Sequence, residues 1–190
     1  MNILGICGSP RTGGNTDVLL EKTLEGARAK GAKTEKIVLD KLHISPCKEE
    51  EYNVVNSDGF SIVDDDMKLI YSKVRSCDSI IVASPVFFGS VSAQLKTMID
   101  RFQCVWISEN KMNIKVFDKR IKGAFLCVAA ADRADFFENA KFIVKHFFAT
   151  IKAEYVGDVF CRGVNEKGDI LKHPEMLDKA YELGAKLAQN

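Results

Sequence analysis

The residues best suited to chemistry lie in a glycine-rich segment near the start of the chain, residues 8–16. It follows a short apolar run and leads into a stretch of helical period, so a strand, a tight loop and a helix start are expected in succession. Glycines let the backbone approach an anion, and the free amides at a helix start point toward it. Hydroxyl, amide and guanidinium groups among the glycines can donate to phosphate oxygens. The candidate phosphate-binding residues are Ser9, Arg11, Gly14, Asn15 and Thr16.

The glycine spacing in this segment narrows the class of ligand. It matches neither Gly-x-Gly-x-x-Gly nor the Walker sequence, which disfavours a primary dinucleotide or triphosphate site. A phosphate monoester remains as the expected ligand. The alternative is a glycine-rich turn that leads into a capped helix and binds nothing.

A second segment, residues 84–89, places two aromatic side chains after a strongly apolar run. Its proline is expected to end a strand, and Ser90 or Ser92 is expected to cap the next helix. Large aromatic residues at a strand end, such as Phe87 and Phe88, can line a flat heteroaromatic ring. The alternative is that the two phenylalanines fill the core.

The other residues that could carry chemistry form no catalytic pattern. The three carboxylates of residues 64–66 could hold a metal, but adjacent positions point in different directions and acids favour a helix start, so capping is expected. The three histidines have no partners at a ligating spacing and are expected to be surface or structural. The six cysteines include no Cys-x-x-Cys pair. Those expected to be buried thiols in or beside apolar runs are Cys7, Cys77, Cys127 and Cys161. We therefore expect no catalytic side chain and no metal ligand.

The elements that must position these loops alternate between short apolar runs and stretches of helical period, which is typical of a parallel sheet covered on both faces. Strands are predicted over residues 2–7, 34–39, 79–83, 123–129 and 154–161. Helices are predicted over residues 16–30, 65–75, 91–104, 136–151 and 174–189. This order predicts a doubly wound α/β sheet with its ligand crevice beyond the carboxyl ends of strands one, three and four.

Two connections, residues 41–64 and 105–122, are too long to be simple turns. Connections of this length in a compact domain usually carry function, form an interface or move. The length of 190 residues suits one well-buried core, so a single domain over residues 1–190 is expected.

Charge and hydropathy exclude several function classes. The 27 basic and 26 acidic residues nearly cancel, which argues against binding to nucleic acid or to an anionic membrane surface. No stretch approaches the roughly eighteen apolar residues that a membrane span needs. The first residues carry no basic leader, so no signal peptide is predicted and a cytoplasmic location is expected.

The two loop segments together resemble the signature segments of the NADPH-dependent FMN reductase family, a flavodoxin-like group that includes quinone reductases and iron-sulfur flavoproteins. The matching residues are 8–11 with 14–16, 84–89 with 95–96 and 100–101, and the closing helix around 183–188. The resemblance therefore covers most of the chain. It implies a flavodoxin-like fold, in which a doubly wound five-stranded parallel sheet has the order 2-1-3-4-5 and helices cover both faces.

The resemblance also implies noncovalently bound FMN, with its phosphate on the first loop and its ring on the second. The residues that would contact the ring are Pro85, Val86, Phe87, Phe88 and Gly89. Members of the family commonly have tyrosine where Phe87 stands, and this chain lacks that hydroxyl.

A third loop, residues 129–135, is often glycine-rich in the family but is rich in alanine here. Ala131 and Asp132 are its candidate flavin contacts, with Arg133 as a further side chain that could reach the flavin. The competing interpretation is an ordinary turn in which Asp135 caps the next helix.

The iron-sulfur branch of the family carries a compact cysteine cluster after strand two. Residues 45–52 resemble that region but contain only Cys47. One thiol cannot hold a four-iron cluster, which usually needs four thiolate ligands. We therefore expect no iron-sulfur cluster.

The activity implied is that of an FMN-dependent NAD(P)H oxidoreductase that passes electrons to a quinone, a flavin or a similar small acceptor. The alternative is a flavin-binding electron-transfer module without its own NAD(P)H oxidation, against which the near-neutral charge argues because carrier flavodoxins are strongly acidic. A third hypothesis is that the fold binds another phosphorylated ligand or none.

The resemblance also implies an oligomer. Relatives usually form dimers or tetramers, so a homodimer or homotetramer is expected, with residues 48–64 and 106–119 as candidate interfaces.

Overall fold

The structure is a computed structural model that describes residues 1–48 and 54–189. Its five β-strands are β1 (Asn2–Cys7), β2 (Lys33–Val38), β3 (Ser79–Pro85), β4 (Ile121–Val128) and β5 (Ala153–Cys161). Its six α-helices in these residues are α1 (Asn15–Ala29), α2 (Met67–Ser76), α3 (Ala93–Arg101), α4 (Gln103–Lys111), α5 (Phe136–Thr150) and α6 (Pro174–Leu187). Short 3-10 helices cover Leu39–Lys41 and Asp169–Lys172.

The five strands form one parallel sheet in the order β2-β1-β3-β4-β5. This is the flavodoxin-like strand order, so the predicted fold class is confirmed. The chain runs from β1 outward to β2, and then from β3 outward to β4 and β5 on the other side. The strand order therefore reverses between β1 and β3, where such sheets bind their ligands.

The sheet is buried on both faces because alternate strand residues serve two separate cores. Ile3 and Ile81 belong to the core that α1 and α6 cover. Ile6 and Val82 belong to the core under α2, α3, α4 and α5. Strands buried on both faces need continuous apolar runs, which is the pattern that predicted them.

Helices α1 and α6 approach each other backbone to backbone. A Cβ added at Gly26 would lie 1.9 Å from the carbonyl oxygen of Tyr181, and one at Gly184 would lie 1.8 Å from that of Thr23. Any side chain at either position would force the two helices apart. Because α1 follows the loop after β1 and α6 follows the loop after β5, this contact fixes the two loops relative to each other.

The prediction of five helices is wrong by one. The helix predicted over residues 91–104 ends at Arg101, and α4 occupies much of the connection predicted over residues 105–122. The sequence pattern missed α4 because one of its buried positions is polar. Ser108 is fully buried and donates its hydroxyl to the carbonyl oxygen of Gly59, 2.9 Å away.

The connection between β2 and α2 is held by a buried arginine. Arg101 is 1% exposed, forms an ion pair with Asp65 and donates to the carbonyl oxygen of Ser45 at 3.0 Å. The Asp65 carboxylate also accepts from the backbone N–H of Met67 at 3.1 Å. Asp66 holds the N-cap position of α2 without a side-chain cap hydrogen bond, so the acidic run serves the helix start through the Asp65 bond to Met67, and α2 begins at Met67 and not at residue 65.

The predicted burial of four cysteines is also confirmed. Cys7, Cys77, Cys127 and Cys161 are each at most 3% exposed. Burial raises the pKa of the Cys7 thiol to about 11 and that of the Cys77 thiol to about 12. These groups stay protonated at neutral pH and pack as small apolar side chains. None of the described helices combines the length and apolar character needed to span a bilayer.

Candidate functional site

The carboxyl ends of four strands meet at one edge of the sheet. Cys7 of β1 pairs with Ala83 of β3, and Pro85 of β3 pairs with Val128 of β4. Beyond this edge lies an open cleft of about 90 Å³. Its lining residues are Ser9, Pro10, Arg11, Gly14, Asn15, Thr16, Pro85, Val86, Phe87, Val128, Ala130, Val164 and Asn165.

The loop after β1 lies tightly against α3. The Ser92 hydroxyl donates to the carbonyl oxygen of Gly8 at 2.7 Å, and the Gly8 N–H donates to that of Ala83 at 2.8 Å. A Cβ at Gly8 would lie 2.9 Å from the Cβ of Leu95, so only glycine allows this approach. Ser92 also accepts from the Leu95 N–H at 3.3 Å, which confirms it as the predicted helix cap.

A tight turn then leads into α1. Gly13 has a φ of 66°, and its N–H donates to the Asp17 carboxylate at 2.8 Å. The Gly14 N–H donates to the Arg11 carbonyl oxygen at 2.9 Å, and a Cβ at Gly14 would lie 2.9 Å from that oxygen. The two glycines therefore let the chain turn sharply enough to present the start of α1 to the cleft.

Several hydrogen-bond donors at this helix start have no acceptor within the described residues. They include the backbone N–H groups of Asn15, Thr16 and Asp17. The Thr16 hydroxyl is also without a partner in this part of the chain, although Thr16 is only 2% exposed and lines the cleft. The Ser9 hydroxyl accepts from the Arg11 N–H at 3.2 Å, which leaves its own proton to donate. Donors without acceptors that face a cleft at the positive end of a helix fit an anion.

Two cations at the loop, Arg11 and Lys167, form no ion pair among the described residues, and the Lys167 ammonium donates to the Thr12 carbonyl oxygen at 3.1 Å. The Arg11 guanidinium donates to the carbonyl oxygen of Asn165 at 3.3 Å. Asp17, the acid in the first turn of α1, is neutralised by Lys36 at 2.9 Å. Burial alone would raise the pKa of Asp17, but hydrogen bonds from Lys36 and the Gly13 N–H outweigh it, so the pKa lies below its usual value. The acid therefore stays paired on the β2 side of the helix.

Asn15 connects the loop after β1 to the loop after β5. Its side-chain amide donates to the carbonyl oxygen of Glu166 at 2.9 Å, and its oxygen accepts from the N–H groups of Gly168 at 3.0 Å and Ile170 at 3.2 Å. These bonds hold the Asn15 side chain against the loop after β5, and Gly14 occupies the N-cap position of α1. The backbone N–H of Asn15 and the second N–H of its side-chain amide remain to contact a ligand.

The loop after β5 forms one side of the cleft, and the sequence pattern did not predict this. Val164 and Asn165 line the cleft, and Gly163 and Gly168 turn the chain with φ values of 71° and 94°. The signal was present in the sequence as two glycines around a polar run, directly after a strand.

The loop after β3 contributes Pro85, Val86 and Phe87 to the cleft. The strand continues two residues beyond its predicted end at residue 83, because the Val86 N–H still donates to the carbonyl oxygen of Val128 at 2.9 Å. Phe87 is 47% exposed and Phe88 is 109% exposed, so neither residue fills the core. Phe88 and Gly89 are not among the residues that line the cleft.

The loop after β4 brings Ala130 to the cleft, whereas Ala131 and Asp132 lie outside the lining. Asp132 is exposed and pairs with Arg162 at 3.2 Å. The predicted capping of α5 by the Asp135 side chain is wrong. Its carboxylate instead pairs with Arg133, because the guanidinium two residues earlier reaches both oxygens.

The segment that resembles the cluster region of iron-sulfur relatives is described only in part. Ser45, Pro46, Cys47 and Lys48 belong to the described residues, and residues 49–52 of the predicted segment lie outside them. Within residues 1–48 and 54–189, no group of three His, Cys, Asp or Glu side chains is placed to hold a metal ion.

Three comparisons with known proteins bear on the identity of the chain. The model of the NADPH-dependent FMN reductase family matches residues 1–162. An iron-sulfur flavoprotein of Methanosarcina thermophila is 41% identical over 101 residues, which cover 53% of this chain and 52% of that protein. The Bacillus subtilis (strain 168) protein named NAD(P)H-dependent FMN-containing oxidoreductase YwqN is 30% identical over 185 residues, 96% of each chain. A solved flavone reductase is similar in fold, with a TM-score of 0.71 and 22% identity over 99% of this chain and 62% of that one.

These matches differ in extent. The chain matches about half of the length of the iron-sulfur flavoprotein, whereas the match to YwqN runs almost end to end. The family match includes the loops after β1, β3 and β4 but stops before most of the loop after β5. As the two loop motifs predicted, the chain belongs to the NADPH-dependent FMN reductase family.

Proposed function

We propose that the cleft binds FMN and that the chain uses it as an NAD(P)H-dependent oxidoreductase, which reduces a small acceptor such as a quinone or a flavin. The observation that carries this proposal is the Thr16 hydroxyl at the cleft, which makes no hydrogen bond in the described chain and lies at the same helix start as three N–H groups without acceptors. The name of the relative YwqN, an NAD(P)H-dependent FMN-containing oxidoreductase, supports the same conclusion.

The start of α1 supplies the phosphate half of the proposed site. Thr16 and Ser9 would donate their hydroxyls, the first-turn amides would donate their N–H groups, and Arg11 would supply charge. A phosphate monoester carries enough oxygens to satisfy these donors together. Because the helix end is fixed by Gly8 and Asn15, little ordering would be needed on binding.

The loop after β3 supplies the ring half. Pro85, Val86 and Phe87 offer an apolar wall, and Ala130 and Asn165 also line the cleft. An apolar wall with a few polar groups at its edge is the usual lining of a site for a flat heteroaromatic ligand. Ala131 and Asp132, predicted as flavin contacts, do not line the cleft and are not part of this proposal.

The chemistry would come from the cofactor. Bound FMN would supply the redox chemistry, which is acceptance of a hydride from NAD(P)H and transfer of two electrons to an acceptor. With a quinone, NAD(P)H and one proton give NAD(P)⁺ and the hydroquinone. The residues of this chain bind and orient the cofactor, and we assign no catalytic side chain.

The test is a pair of titrations followed by reduction. Purified protein is titrated with FMN and with riboflavin while flavin fluorescence is followed, and the holoprotein is then mixed with NADPH under nitrogen. We expect tighter binding of FMN than of riboflavin and bleaching of the flavin absorbance. Binding without bleaching by NADPH or NADH would favour the electron-transfer module, and no binding of FMN would refute the proposal.

We propose further that the chain carries no iron-sulfur cluster, since Cys47 is the one cysteine of the segment that resembles the cluster region. Iron analysis of anaerobically purified protein tests this.

We also propose one domain over residues 1–190 in a cytoplasmic protein, where the buried reduced thiols are stable. A single cooperative unfolding transition and cell fractionation are the respective tests.

A homodimer or homotetramer is supported by exposed apolar side chains in the two candidate interface segments. These are Val54, Ile62, Trp106 and Met112, each at least 40% exposed. Exposed apolar residues that cluster on connecting segments are typical of interfaces. Sedimentation velocity gives the oligomeric state, and a monomer at micromolar concentration would contradict this part of the proposal.

A further inference from the structure

The loop after β3 ends in a turn with two residues in the left-handed region. Phe88 has a φ of 50° and Gly89 a φ of 70°. Phe87 and Ser90 on either side exchange two backbone hydrogen bonds, of 2.9 and 3.0 Å. This pattern is a two-residue hairpin turn, whose preferred sequence is Asn-Gly.

Phenylalanine is a poor residue for the first position of such a turn. A bulky side chain is strained at a positive φ, whereas asparagine adopts this conformation readily. The ring of Phe88 gains no burial in return, because it is 109% exposed. Neither the turn conformation nor core packing explains a phenylalanine at this position, so its ring is expected to contact another molecule.

The position of the turn indicates what the ring meets. Asn139 of α5 donates to the carbonyl oxygen of Gly89 at 2.9 Å and holds the turn at the rim of the cleft, next to Phe87. In the proposed function FMN occupies the cleft that Pro85, Val86 and Phe87 line, so an acceptor would approach the bound cofactor from the outer rim, where the turn lies.

Exposed aromatic side chains near that rim are few. Among the described residues with large exposed apolar side chains, Trp106, Phe142 and Tyr181 lie on α4, α5 and α6. Phe87 and Phe88 are the two aromatics that belong to a loop of the cleft. Phe87 already lines the cleft, which leaves Phe88 as the aromatic surface that faces solvent beside it.

We propose that Phe88 determines the specificity of the proposed reductase for its electron acceptor, by offering an aromatic face on which a planar aromatic acceptor of the quinone class stacks. This role rests on the proposed function and differs from the flavin contact that the sequence predicted for Phe88. Offset stacking between aromatic rings favours planar acceptors over inorganic ones of the same potential.

The test compares Phe88→Asn with Phe88→Tyr in the FMN-loaded protein. Phe88→Asn removes the ring and suits the turn, so we expect a melting temperature higher by about 2–4 °C. We expect the KM for a naphthoquinone such as menadione to rise about 3- to 10-fold, and the KM for ferricyanide to stay within twofold. Phe88→Tyr keeps the ring and restores the quinone KM. Phe142→Ala, which removes an exposed aromatic from α5, serves as the matched control and leaves both KM values unchanged.

Three results would overturn the inference. An unchanged quinone KM in Phe88→Asn shows that the ring does not meet the acceptor. A weaker Kd for FMN shows that Phe88 belongs to the cofactor site instead, and a changed sedimentation coefficient shows that it belongs to a subunit interface. Failure of the wild-type protein to bind FMN would refute the proposed function itself, so the two failures are distinguishable.

Discussion

The loop after β1 and the loop after β3 face each other across one cleft, but the rest of the chain holds them very differently. Asn15 and Arg11 connect the first loop to the loop after β5, and Ser92 connects it to α3. The second loop ends in a turn whose flanking residues, Phe87 and Ser90, bond to each other, and Asn139 donates to this turn from α5. The first loop buries the polar residues Ser9, Asn15 and Thr16, and the second exposes Phe88.

This difference matches what each loop is proposed to recognise. A phosphate is small and of fixed shape, so a site with preorganised donors binds it at little conformational cost. A planar acceptor can vary in size and substituents, and an exposed ring on a turn adapts to such variation. The comparison predicts that changes around the first loop alter stability and phosphate recognition, whereas changes at the second alter the choice of acceptor.

The largest expected effect comes from a change that disturbs the packing of α6 against α1, because this packing holds the first loop in place. Gly184→Ala places a Cβ against the Thr23 carbonyl and must separate α6 from α1. We expect a loss of about 3 kcal/mol in the free energy of unfolding, with a melting temperature lower by about 6–12 °C and weaker FMN binding. Gly157→Ala is the control, since its Cβ would meet only the movable Cδ1 of Leu183. Equal melting temperatures for the two variants would refute this account of the helix contact.

The two asparagines that support the loops allow a direct comparison. Asn15→Ala removes three hydrogen bonds to the loop after β5, and we expect a loss of about 2–3 kcal/mol in stability. Asn139→Ala removes one hydrogen bond to Gly89, for which about 1 kcal/mol is expected. Urea unfolding measures both. A larger effect for Asn139→Ala would reverse the assignment of the rigid and the adaptable loop.

Thr16→Val tests whether the first loop recognises the phosphate of FMN, because valine has almost the same shape as threonine but no hydroxyl. Because that hydroxyl has no partner in the described chain, we expect unchanged stability. The affinity for FMN should fall about tenfold through loss of a hydrogen bond to a charged group, while that for riboflavin stays the same. Thr23→Val is the control, since the Thr23 hydroxyl bonds to Leu19 within α1. An equal loss of affinity for both flavins would place Thr16 away from the phosphate.

The smallest expected effect is a pH dependence. The lowered pKa of Asp17 stabilises the folded chain above the unfolded value of about 4, and this contribution disappears as pH falls through the lower native value. Asp17→Asn should therefore be less stable than the wild type at pH 6, and the difference should narrow below pH 4. Asp118→Asn, at an exposed ion pair with Lys115, should show a smaller difference at pH 6. If the difference in stability between Asp17→Asn and the wild type did not vary with pH, the ionisation of Asp17 would not be linked to folding.

The sequence predicted the sheet well because strands buried on both faces must be continuously apolar. It also located the residues that line the cleft on the loops after β1 and β3, since glycine, proline and hydroxyl residues after a strand have few other uses there. It did not predict α4, whose buried Ser108 interrupts the apolar period. Local pattern cannot show that a serine is satisfied by a carbonyl group 49 residues away.

Side-chain partners across the fold were the other part that sequence could not supply. Asn15 was expected to serve a ligand, but its amide bonds to a loop about 150 residues later. Asp135 was expected to cap a helix and instead pairs with Arg133. In both cases the side chain could bond to either of two partners, and the tertiary structure determines which partner lies near. The spacing of residues in the sequence does not carry this information.

The close approach of α1 and α6 at Gly26 and Gly184 has a consequence for how much of the chain the proposed site depends on. The shared family segment stops at residue 162, yet α6 lies beyond it and supports the helix that presents the phosphate donors. A chain cut at that border would keep the two loop motifs and lose the helix that packs behind α1. The match to YwqN runs through this helix, so we expect α6 to affect cofactor affinity through the position of α1 and not through a contact of its own.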